Sequence, residues 1–421
     1  MPLAQYAADH WIDHAKSGGV DPTVLQLILR LFTSGSAPLK NWIRIYDIDA
    51  YAAGEYDDFR LPLGRTEADY TSALYYSSLA GMQEVSDCLL RKGENANAEG
   101  GRLGNPLQAA SCEGYEAIIK LLLENGAEVN AKGGKYGNAL QAASFRGNEL
   151  IVKLLLENGA GVNEGGGVYG NALQAVSFRG NEVVVKLLLE NGAEVNAKGG
   201  IYGNALQAAS FRGNEAVVKL LLENGAEVNG EGGVYGNALQ ATSLTGNEAI
   251  VKLLLENGAR VNAKGGKYGN ALQAAVALYQ GSAAIVKLLL ENGAEVNAKG
   301  GEYGNALQAA SCEGYEVIVQ LLLENGAEVN AKGGIYGGAL QAASGEGYKE
   351  IVKLLLENGA EVNAKGGIYG GALQAASGKG YKEIVKLLLE NGAEVNAKGG
   401  IVYGNALQAA SGNEAAAREW G

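Results

Sequence analysis

The sequence predicts an all-α solenoid, a stack of helix-turn-helix units joined by turn-like or hairpin-like fingers. A segment of 33 residues recurs along most of the chain, and a fixed period of this length is typical of repeat arrays. Each copy contains start and stop signals for two helices. Because a unit of this size cannot bury its apolar faces alone, the copies are expected to stack on one another.

The leucine of the motif A-L-Q marks the period. It recurs every 33 residues, except for a step of 35 from Leu272 to Leu307 and a step of 34 at the last copy. The marker residues are Leu107, Leu140, Leu173, Leu206, Leu239, Leu272, Leu307, Leu340, Leu373 and Leu407, with a divergent copy at Leu74. A chain of 421 residues can form one long domain in this way, because each unit contacts only its neighbours.

The pattern divides the chain into four parts. Residues 1–65 are predicted to form a helical N-terminal segment with an acidic connector, and residues 66–103 a degenerate capping repeat. Residues 104–403 contain nine repeats, and residues 404–421 a partial C-terminal repeat. Divergent end copies suit an array whose terminal units face water on one side.

Apolar residues at helical spacing predict three short helices before the repeats. The first covers residues 2–17, the second begins at Pro22, and the third surrounds Trp42. The second helix is expected to bury Val24, Leu25, Leu27, Ile28, Leu31 and Phe32. Because this small segment holds two of the three tryptophans, we expect it to dock either on the first repeat or on a part that is missing from this chain.

The first helix of a repeat is predicted from its capping residues. Asn138 and Gln141 are three residues apart, as in a capping box, so the helix is expected to cover about residues 138–146 and to end at Gly147. Two late copies have Gly338 or Gly371 in place of the capping Asn. We expect those helix starts to be weaker.

The second helix begins near Asn148 and is almost entirely apolar, as expected of a helix packed on several sides. Asn158 and Gly159 mark its end, because Gly readily adopts the left-handed conformation that follows a last helical turn. The glycine-rich residues 160–169 that remain are predicted to form the finger.

Charge and cysteine content restrict the classes of function. A net charge of −12 argues against nucleic-acid or anionic-membrane binding by bulk electrostatics. Cys88, Cys112 and Cys312 show no paired spacing, which favours a reducing compartment. No secretory signal and no run of eighteen apolar residues is present. We therefore expect a soluble cytoplasmic monomer.

No motif for catalysis, cofactor or metal is found, so the chain is predicted to be non-enzymatic. His10 and His14 are one helical turn apart, but a surface helix explains them better than a zinc site does. Gly165, Gly167 and Gly170 match a dinucleotide-binding spacing by accident, because no strand precedes them.

The repeat resembles the ankyrin repeat. The family pattern T-P-L-H-x-A-A is present here as N-P-L-Q-A-A-S at residues 105–111, and the later L-L-L-x-x-G-A-x-V-N is present at residues 154–163. The match covers roughly residues 70–421. One difference is that Gln141 and its equivalents stand where the family usually has His. The resemblance implies a protein that binds other proteins through its finger tips and the ends of its first helices.

The particular sequence of the repeat, together with the opening residues PLAQYAADHWIDHA, also looks like the ankyrin arrays of fungal NACHT-type signalling proteins. This second resemblance covers about the first fifty residues. The chain contains no G-x-x-x-x-G-K-[ST] loop, so any nucleotide-binding module would lie outside it.

Comparison of the copies with one another locates a candidate binding surface. Two slots vary most, and both coincide with the contact positions that the resemblance implies: the finger residue before Tyr, and the pair that ends the first helix. The candidate contact residues are Lys135, Phe145, Arg146, Val168, Phe178, Arg179, Ile201, Phe211, Arg212, Val234, Leu244 and Lys267.

The three successive Phe-Arg pairs suggest an exposed aromatic and basic stripe that holds an acidic or aromatic segment of a partner protein. The other interpretation is that the rings only pack between adjacent helices. For the whole chain, the sequence favours a protein-interaction scaffold. A sensor region of a NACHT-type signalling NTPase remains open, as does a young tandem expansion with little selected function.

Overall fold

The computed structural model describes residues 22–33, 38–39, 72–277, 281–397, 399 and 405–411. These residues form 22 α-helices and, apart from isolated β-bridges, no strand. The all-α solenoid predicted from the sequence is confirmed.

The helices follow one another in pairs. The helix before the pairs is α1 (Pro22–Leu31). The pairs are α2 (Ala73–Leu79) with α3 (Gln83–Arg91), α4 (Pro106–Glu113) with α5 (Glu116–Glu124), α6 (Ala139–Arg146) with α7 (Glu149–Glu157), α8 (Ala172–Arg179) with α9 (Glu182–Glu190), α10 (Ala205–Arg212) with α11 (Glu215–Glu223), α12 (Ala238–Thr245) with α13 (Glu248–Glu256), α14 (Ala271–Ala274) with α15 (Ala283–Glu291), α16 (Ala306–Glu313) with α17 (Glu316–Glu324), α18 (Ala339–Glu346) with α19 (Lys349–Glu357), and α20 (Ala372–Lys379) with α21 (Lys382–Glu390). The last helix described is α22 (Ala406–Ser411).

The chain divides into two compact units. One comprises residues 1–209 with 216–226, and the other comprises residues 210–215 with 227–421. In each unit, the first helix of a pair packs against the first helix of the next pair.

The first helices begin and end at the predicted residues. Asn138 has an extended backbone, and its side chain accepts a hydrogen bond from the amide of Gln141. In α8 the reciprocal bond is also present, because the Gln174 side chain accepts from the amide of Asn171. Such caps satisfy amides that have no partner within the helix.

The two copies without a capping Asn lack the side-chain cap. Gly338 and Gly371 stand at the N-caps of α18 and α20, and neither supplies a side-chain hydrogen bond. The backbone there remains extended, so both helices form without this contribution.

The core of a repeat comes from both helices. Residues Ala139–Phe145 of α6 are all buried, whereas α7 buries only one face, with Ile151, Val152 and Leu155. Ala142 and Ala143 are completely buried, because their small side chains let neighbouring first helices approach closely. This division of burial places the end of each first helix beside the finger.

The fingers are closed by short glycine contacts. Gly133 and Gly137 form an isolated antiparallel bridge, and the same pair recurs as Gly166 and Gly170. Gly137 has a φ of 104°, and a Cβ there would lie 2.6 Å from the carbonyl carbon of Gly166. Only glycine fits this close approach between successive fingers.

Helix α1 packs against α3 of the first, divergent pair. Ile28 and Phe32 are buried as predicted, so this part of the N-terminal segment does contact the first repeat. Leu27, in contrast, is 59% exposed, so the buried face of the helix is narrower than the sequence suggested. The helix expected over residues 2–17 and the residues around Trp42 lie outside the described residues.

The copy with the longer spacing has a shortened first helix. Helix α14 contains four residues, whereas the first helices on either side, α12 and α16, contain eight. Its C-cap, Ala275, remains in the right-handed helical conformation, instead of the left-handed glycine that ends α12. The two inserted residues therefore change how this helix ends.

Candidate functional site

The finger-tip slot links neighbouring fingers through the main chain. In the first unit, the amide of Val168 donates to the carbonyl of Lys135 at 2.9 Å, and the amide of Ile201 donates to the carbonyl of Val168 at 3.0 Å. In the second unit, the amide of Lys267 donates to the carbonyl of Val234 at 2.9 Å. Because only main-chain atoms are used, the side chains can differ between copies without changing the fingers.

The side chains of this slot reach the surface. Those of Lys135, Val168 and Ile201 are partly exposed, and that of Lys267 is exposed. Val234 is 44% exposed. The slot therefore presents a mixture of cationic and aliphatic side chains to solvent.

The helix-end slot differs from the expectation. Phe145 is 5% exposed and Phe178 is 4% exposed, so these two rings do not form an exposed aromatic stripe. At both positions the ring instead packs inside the array, which was the alternative to an exposed stripe. The physical reason is the finger tyrosines, whose rings pack against the phenylalanine rings in tilted contacts.

Five rings of the first unit form one interlocked set, here called the aromatic cluster. Its members are Tyr136, Phe145, Tyr169, Phe178 and Tyr202. The ring centroid of Phe145 lies 4.8 Å from that of Tyr136 and 4.7 Å from that of Tyr169. Phe178 lies 5.1 Å from Tyr169 and 4.8 Å from Tyr202. Each phenylalanine thus sits between two tyrosines of successive fingers.

The second unit contains the third phenylalanine and the predicted leucine. Phe211 is partly buried, and its ring centroid lies 4.5 Å from that of Tyr235. Leu244 is 6% exposed and packs with Ala274 and Ala277. Leu244 therefore belongs to the core, not to the exposed surface that the sequence suggested.

The arginines of the three pairs, in contrast, are exposed. The guanidinium of Arg179 lies over the ring of Phe145, 5.0 Å from its centroid. Arg146 has a different environment, because its Nη2 lies 2.6 Å from Oε1 of Glu113. The Nε of Arg146 also donates to Sγ of Cys112 at 3.3 Å. Each of these two arginines thus reaches back to the preceding repeat.

The thiol of Cys112, which contacts Arg146, has low reactivity. Cys112 is 2% exposed, and burial raises the pKa of its thiol to about 11, although the neighbouring Arg146 acts in the opposite direction. A thiol with such a pKa is almost fully protonated near neutral pH, and the thiolate is the reactive form. The geometry at Cys112 therefore supports packing and not nucleophilic chemistry.

The helix-end slot is acidic in two later repeats. The hydroxyl of Tyr303 donates to Oε1 of Glu313 at 2.7 Å, and that of Tyr336 donates to Oε1 of Glu346 at 3.2 Å. Burial, followed by the bond to Glu313, raises the pKa of Tyr303. In these copies the finger tyrosine holds the variable side chain by a hydrogen bond instead of by ring packing.

Two further residue types join successive repeats. Nε2 of Gln174 donates to the carbonyl of Ala197 at 2.9 Å, so the residue that replaces the family's His binds the next finger. Nδ2 of Asn163 donates to the carbonyl of Gly192 at 3.0 Å, and its Oδ1 accepts from the amide of Glu194 at 2.8 Å. The sequence analysis did not assign a role to this Asn, although the recurrence of the Val-Asn pair from repeat to repeat was a signal for one.

Other site types find no support in the part of the chain that the structure describes. It contains no group of three or more His, Cys, Asp or Glu side chains that could hold a metal. None of its helices is long and apolar enough to cross a membrane. His10 and His14 lie outside the described residues, and Gly165, Gly167 and Gly170 belong to a finger.

Comparison with known proteins identifies the family to which the repeats are similar. The model of the family described as ankyrin repeats (3 copies) matches residues 49–133, 139–232, 206–300, 239–333, 274–366 and 307–399. The azaphilone pigments biosynthesis cluster protein L of Monascus ruber is 38% identical over 122 residues, which are 26% of this chain. The match spans 24% of that relative's length. The human ASB11 ankyrin repeat domain is a structural neighbour with a TM-score of 0.45 and 27% identity, covering 53% of this chain and 99% of that domain.

Proposed function

Because the chain belongs to the ankyrin repeat family, we propose that it is a non-enzymatic scaffold that binds a partner protein in the cytoplasm. Ankyrin repeats are in general protein-protein interaction modules. We place the binding surface on the nine repeats of residues 104–403, at the finger tips and the ends of the first helices. The chain acts as a monomer in this proposal, and the partner segment is acidic or aromatic.

One observation supports this location above the others. Side chains that tie repeats together, such as Gln174 and Asn163, bind the main-chain carbonyls of Gly203 and Gly192 in the next repeat, and both residue types recur in the copies. Side chains at the finger tips change from copy to copy and have no part in those bonds. Variation confined to a surface on a uniform frame is what a recognition surface requires.

A variant pair with matched chemistry tests the proposal. The finger variant carries Lys135→Ser, Val168→Ser and Ile201→Ser. The control carries Lys153→Ser, Leu150→Ser and Val183→Ser, which removes the same kinds of side chain from the exposed face of the second helices, where Leu150 is 67% and Val183 is 53% exposed.

Affinity capture from an extract of the source cells, read by mass spectrometry, should recover a partner with the unchanged chain and with the control, but not with the finger variant. Equal recovery with both variants would contradict the proposed surface. Circular dichroism of both variants checks that the helices are retained.

A second candidate function follows from the opening residues, which look like the segment that joins a NACHT-type module to its repeats. In that case the array senses a ligand or holds a nucleotide-binding module inactive. The direct test is the gene sequence upstream of Met1. A phosphate-binding loop in the same reading frame would favour the sensor, and its absence would favour the free scaffold.

A further inference from the structure

We infer that Arg179 is the anchor for an acidic segment of the partner, and that Phe145 positions it. This inference rests on the proposed function and assigns the chemistry of one part of the same surface. It concerns a guanidinium that is exposed, oriented and not neutralised by a carboxylate.

Arg179 is both exposed and placed against an aromatic ring. Its guanidinium lies over the face of Phe145 at 5.0 Å from the ring centroid, and its side chain is exposed. Among the described residues it forms no salt bridge, although the chain has 46 acidic residues and a net charge of −12. A guanidinium stacked on a ring keeps its N–H edge available for a carboxylate, which it can bind through two parallel hydrogen bonds.

Arg146 shows why the same motif does not give the same site twice. In the preceding repeat, the pair equivalent to Phe145-Arg146 is Cys112-Glu113. The carboxylate of Glu113 binds the guanidinium of Arg146 at 2.6 Å. The residues that precede Arg179 by one repeat are Phe145 and Arg146, which offer a ring and no carboxylate. Successive Phe-Arg pairs therefore give one occupied arginine and one available arginine.

Phe145 acts through Arg179 and does not itself face the partner. It is 5% exposed, and the rings of Tyr136 and Tyr169 pack against it in tilted contacts, with centroids at 4.8 and 4.7 Å. A ring fixed in this way limits the rotamers of the arginine above it, which lowers the entropy that binding would cost. Phe145 is thus a positioning residue.

A second cation lies on the aromatic cluster. The Nζ of Lys135 is 5.7 Å from the ring centroid of Tyr136, and Tyr136 contacts Phe145. Two cations on one set of packed rings fit a segment with several carboxylates better than a single acidic side chain. The ligand class is therefore a peptide stretch rich in Asp or Glu.

The test uses the full chain and a fluorescein-labelled hexaglutamate amide, with binding followed by fluorescence anisotropy at low ionic strength. The unchanged chain should bind the peptide, and salt should weaken the binding. Arg179→Gln should weaken it by about tenfold or more, as expected for a hydrogen-bonded charge pair. Arg146→Gln, the matched control, should weaken it by less than about threefold, because that guanidinium is already engaged by Glu113.

Variants of Phe145 separate positioning from simple stability. Phe145→Leu removes the ring but keeps an apolar side chain of similar size, and affinity should fall while the circular dichroism spectrum is unchanged. Phe145→Tyr restores a ring and should restore most of the affinity. Equal affinities of these two variants would contradict the positioning role.

Three results would overturn the anchor. They are no binding by the unchanged chain, equal loss with Arg179→Gln and Arg146→Gln, and a clear preference for a phosphoserine hexapeptide, which would replace carboxylate by phosphate chemistry. None of these depends on capture of the natural partner. The finger-variant experiment can therefore fail while the anchor holds, and the anchor can fail while partner capture succeeds.

Discussion

The side chain of Phe178 lies between the rings of Tyr169 and Tyr202 and is 4% exposed. At such a position an aromatic ring contributes to stability through buried apolar area and through ring contacts with both neighbours. The adjacent Arg179 remains at the surface. Within one dipeptide, therefore, the first residue belongs to the core and the second to the surface.

Truncation of this ring should be costly. We expect Phe178→Ala to lower the free energy of unfolding by about 3 kcal/mol, the usual loss for a buried phenylalanine. Phe211→Ala should cost less, because that ring is only partly buried. Urea unfolding followed by circular dichroism measures both, and a loss below about 1 kcal/mol for Phe178→Ala would be inconsistent with the packing described.

The cysteines should differ in reactivity. Cys112 and Cys312 are buried, whereas Cys88 has intermediate exposure, and burial raises the pKa of both Cys112 and Cys312 to about 11. At about pH 8, iodoacetamide should modify Cys88 at least about tenfold faster than Cys112. Peptide mass spectrometry at timed intervals measures the rates, and in urea the three rates should converge. Equal rates in the native chain would mean that Cys112 is accessible.

At the level of helices and fingers, the contacts between repeats come from side-chain amides. Gln174 donates from Nε2 to the carbonyls of Ala197 and Gly203, at 2.9 and 3.2 Å. Ala197 lies in the finger that follows the helix pair of Gln174, and Gly203 is the first residue of the next repeat. The start of one helix pair is therefore tied to the end of the finger that follows it.

Loss of this amide should weaken the junction. We expect Gln174→Ala to lower the free energy of unfolding by about 1 to 3 kcal/mol, because buried carbonyls lose their donor. Gln320→Ala is the control, since Gln320 lies on an exposed helix face and donates only to Glu324 at 3.0 Å. The control should change stability by less than about 0.5 kcal/mol. Similar losses for the two variants would argue against the inter-repeat bond.

The uncapped helices offer a gain of stability. Gly371 at the N-cap of α20 has an extended backbone with no side-chain hydrogen bond. Gly371→Asn should stabilise the chain by a few tenths of a kcal/mol, whereas Gly371→Ala should destabilise it, because Ala has neither the flexibility of Gly nor a capping oxygen. Thermal unfolding of both variants decides the matter, and the expectation fails if Asn and Ala shift the midpoint in the same direction.

The elements could be predicted well because their signals are local. Asn138, Gly147 and Gly159 stand at the start, break and end of the helix pair because each carries a backbone requirement that depends on few neighbours. The burial of Phe145 could not be predicted in this way. It depends on Tyr169, a residue of the next finger, whose distance is fixed only when the repeats stack.

The candidate site shows the same limit. The variable slots were found by comparing copies, but the difference between Arg146 and Arg179 depends on the pair one repeat earlier. Glu113 neutralises the first arginine and Cys112 accepts a hydrogen bond from it, whereas Phe145 supports the second. A pattern taken one copy at a time does not contain this information.

For the molecule as a whole, ionisable groups in both units make the stability of the folded chain depend on pH in the same direction. Cys112 lies in the first unit and Cys312 in the second, and the pKa of each is raised to about 11, mainly by burial. The pKa values of Tyr303 and Tyr336 are also raised, first by burial and then by neighbouring side chains. All four groups keep their protons in the folded chain after the unfolded chain has lost them.

Stability should therefore fall in alkaline solution. The contribution of the two thiols is complete below pH 9.0, their ordinary pKa, and is lost as the pH rises towards about 11. The thermal unfolding midpoint should decrease over this range, and the Cys112→Ala, Cys312→Ala double variant should show a shallower decrease. A midpoint that rises, or a double variant with the same slope, would contradict the assignment.

The amide bonds between repeats have a consequence for the gene. Gln and Asn side chains of one copy bind main-chain atoms of the next copy, such as the carbonyls of Gly203 and Gly192, and so do not depend on its side chains. Removal or duplication of a whole 33-residue copy leaves this set of bonds complete. Unequal recombination between the nearly identical coding segments would then yield chains of other lengths that still fold, with their surface residues in a new order.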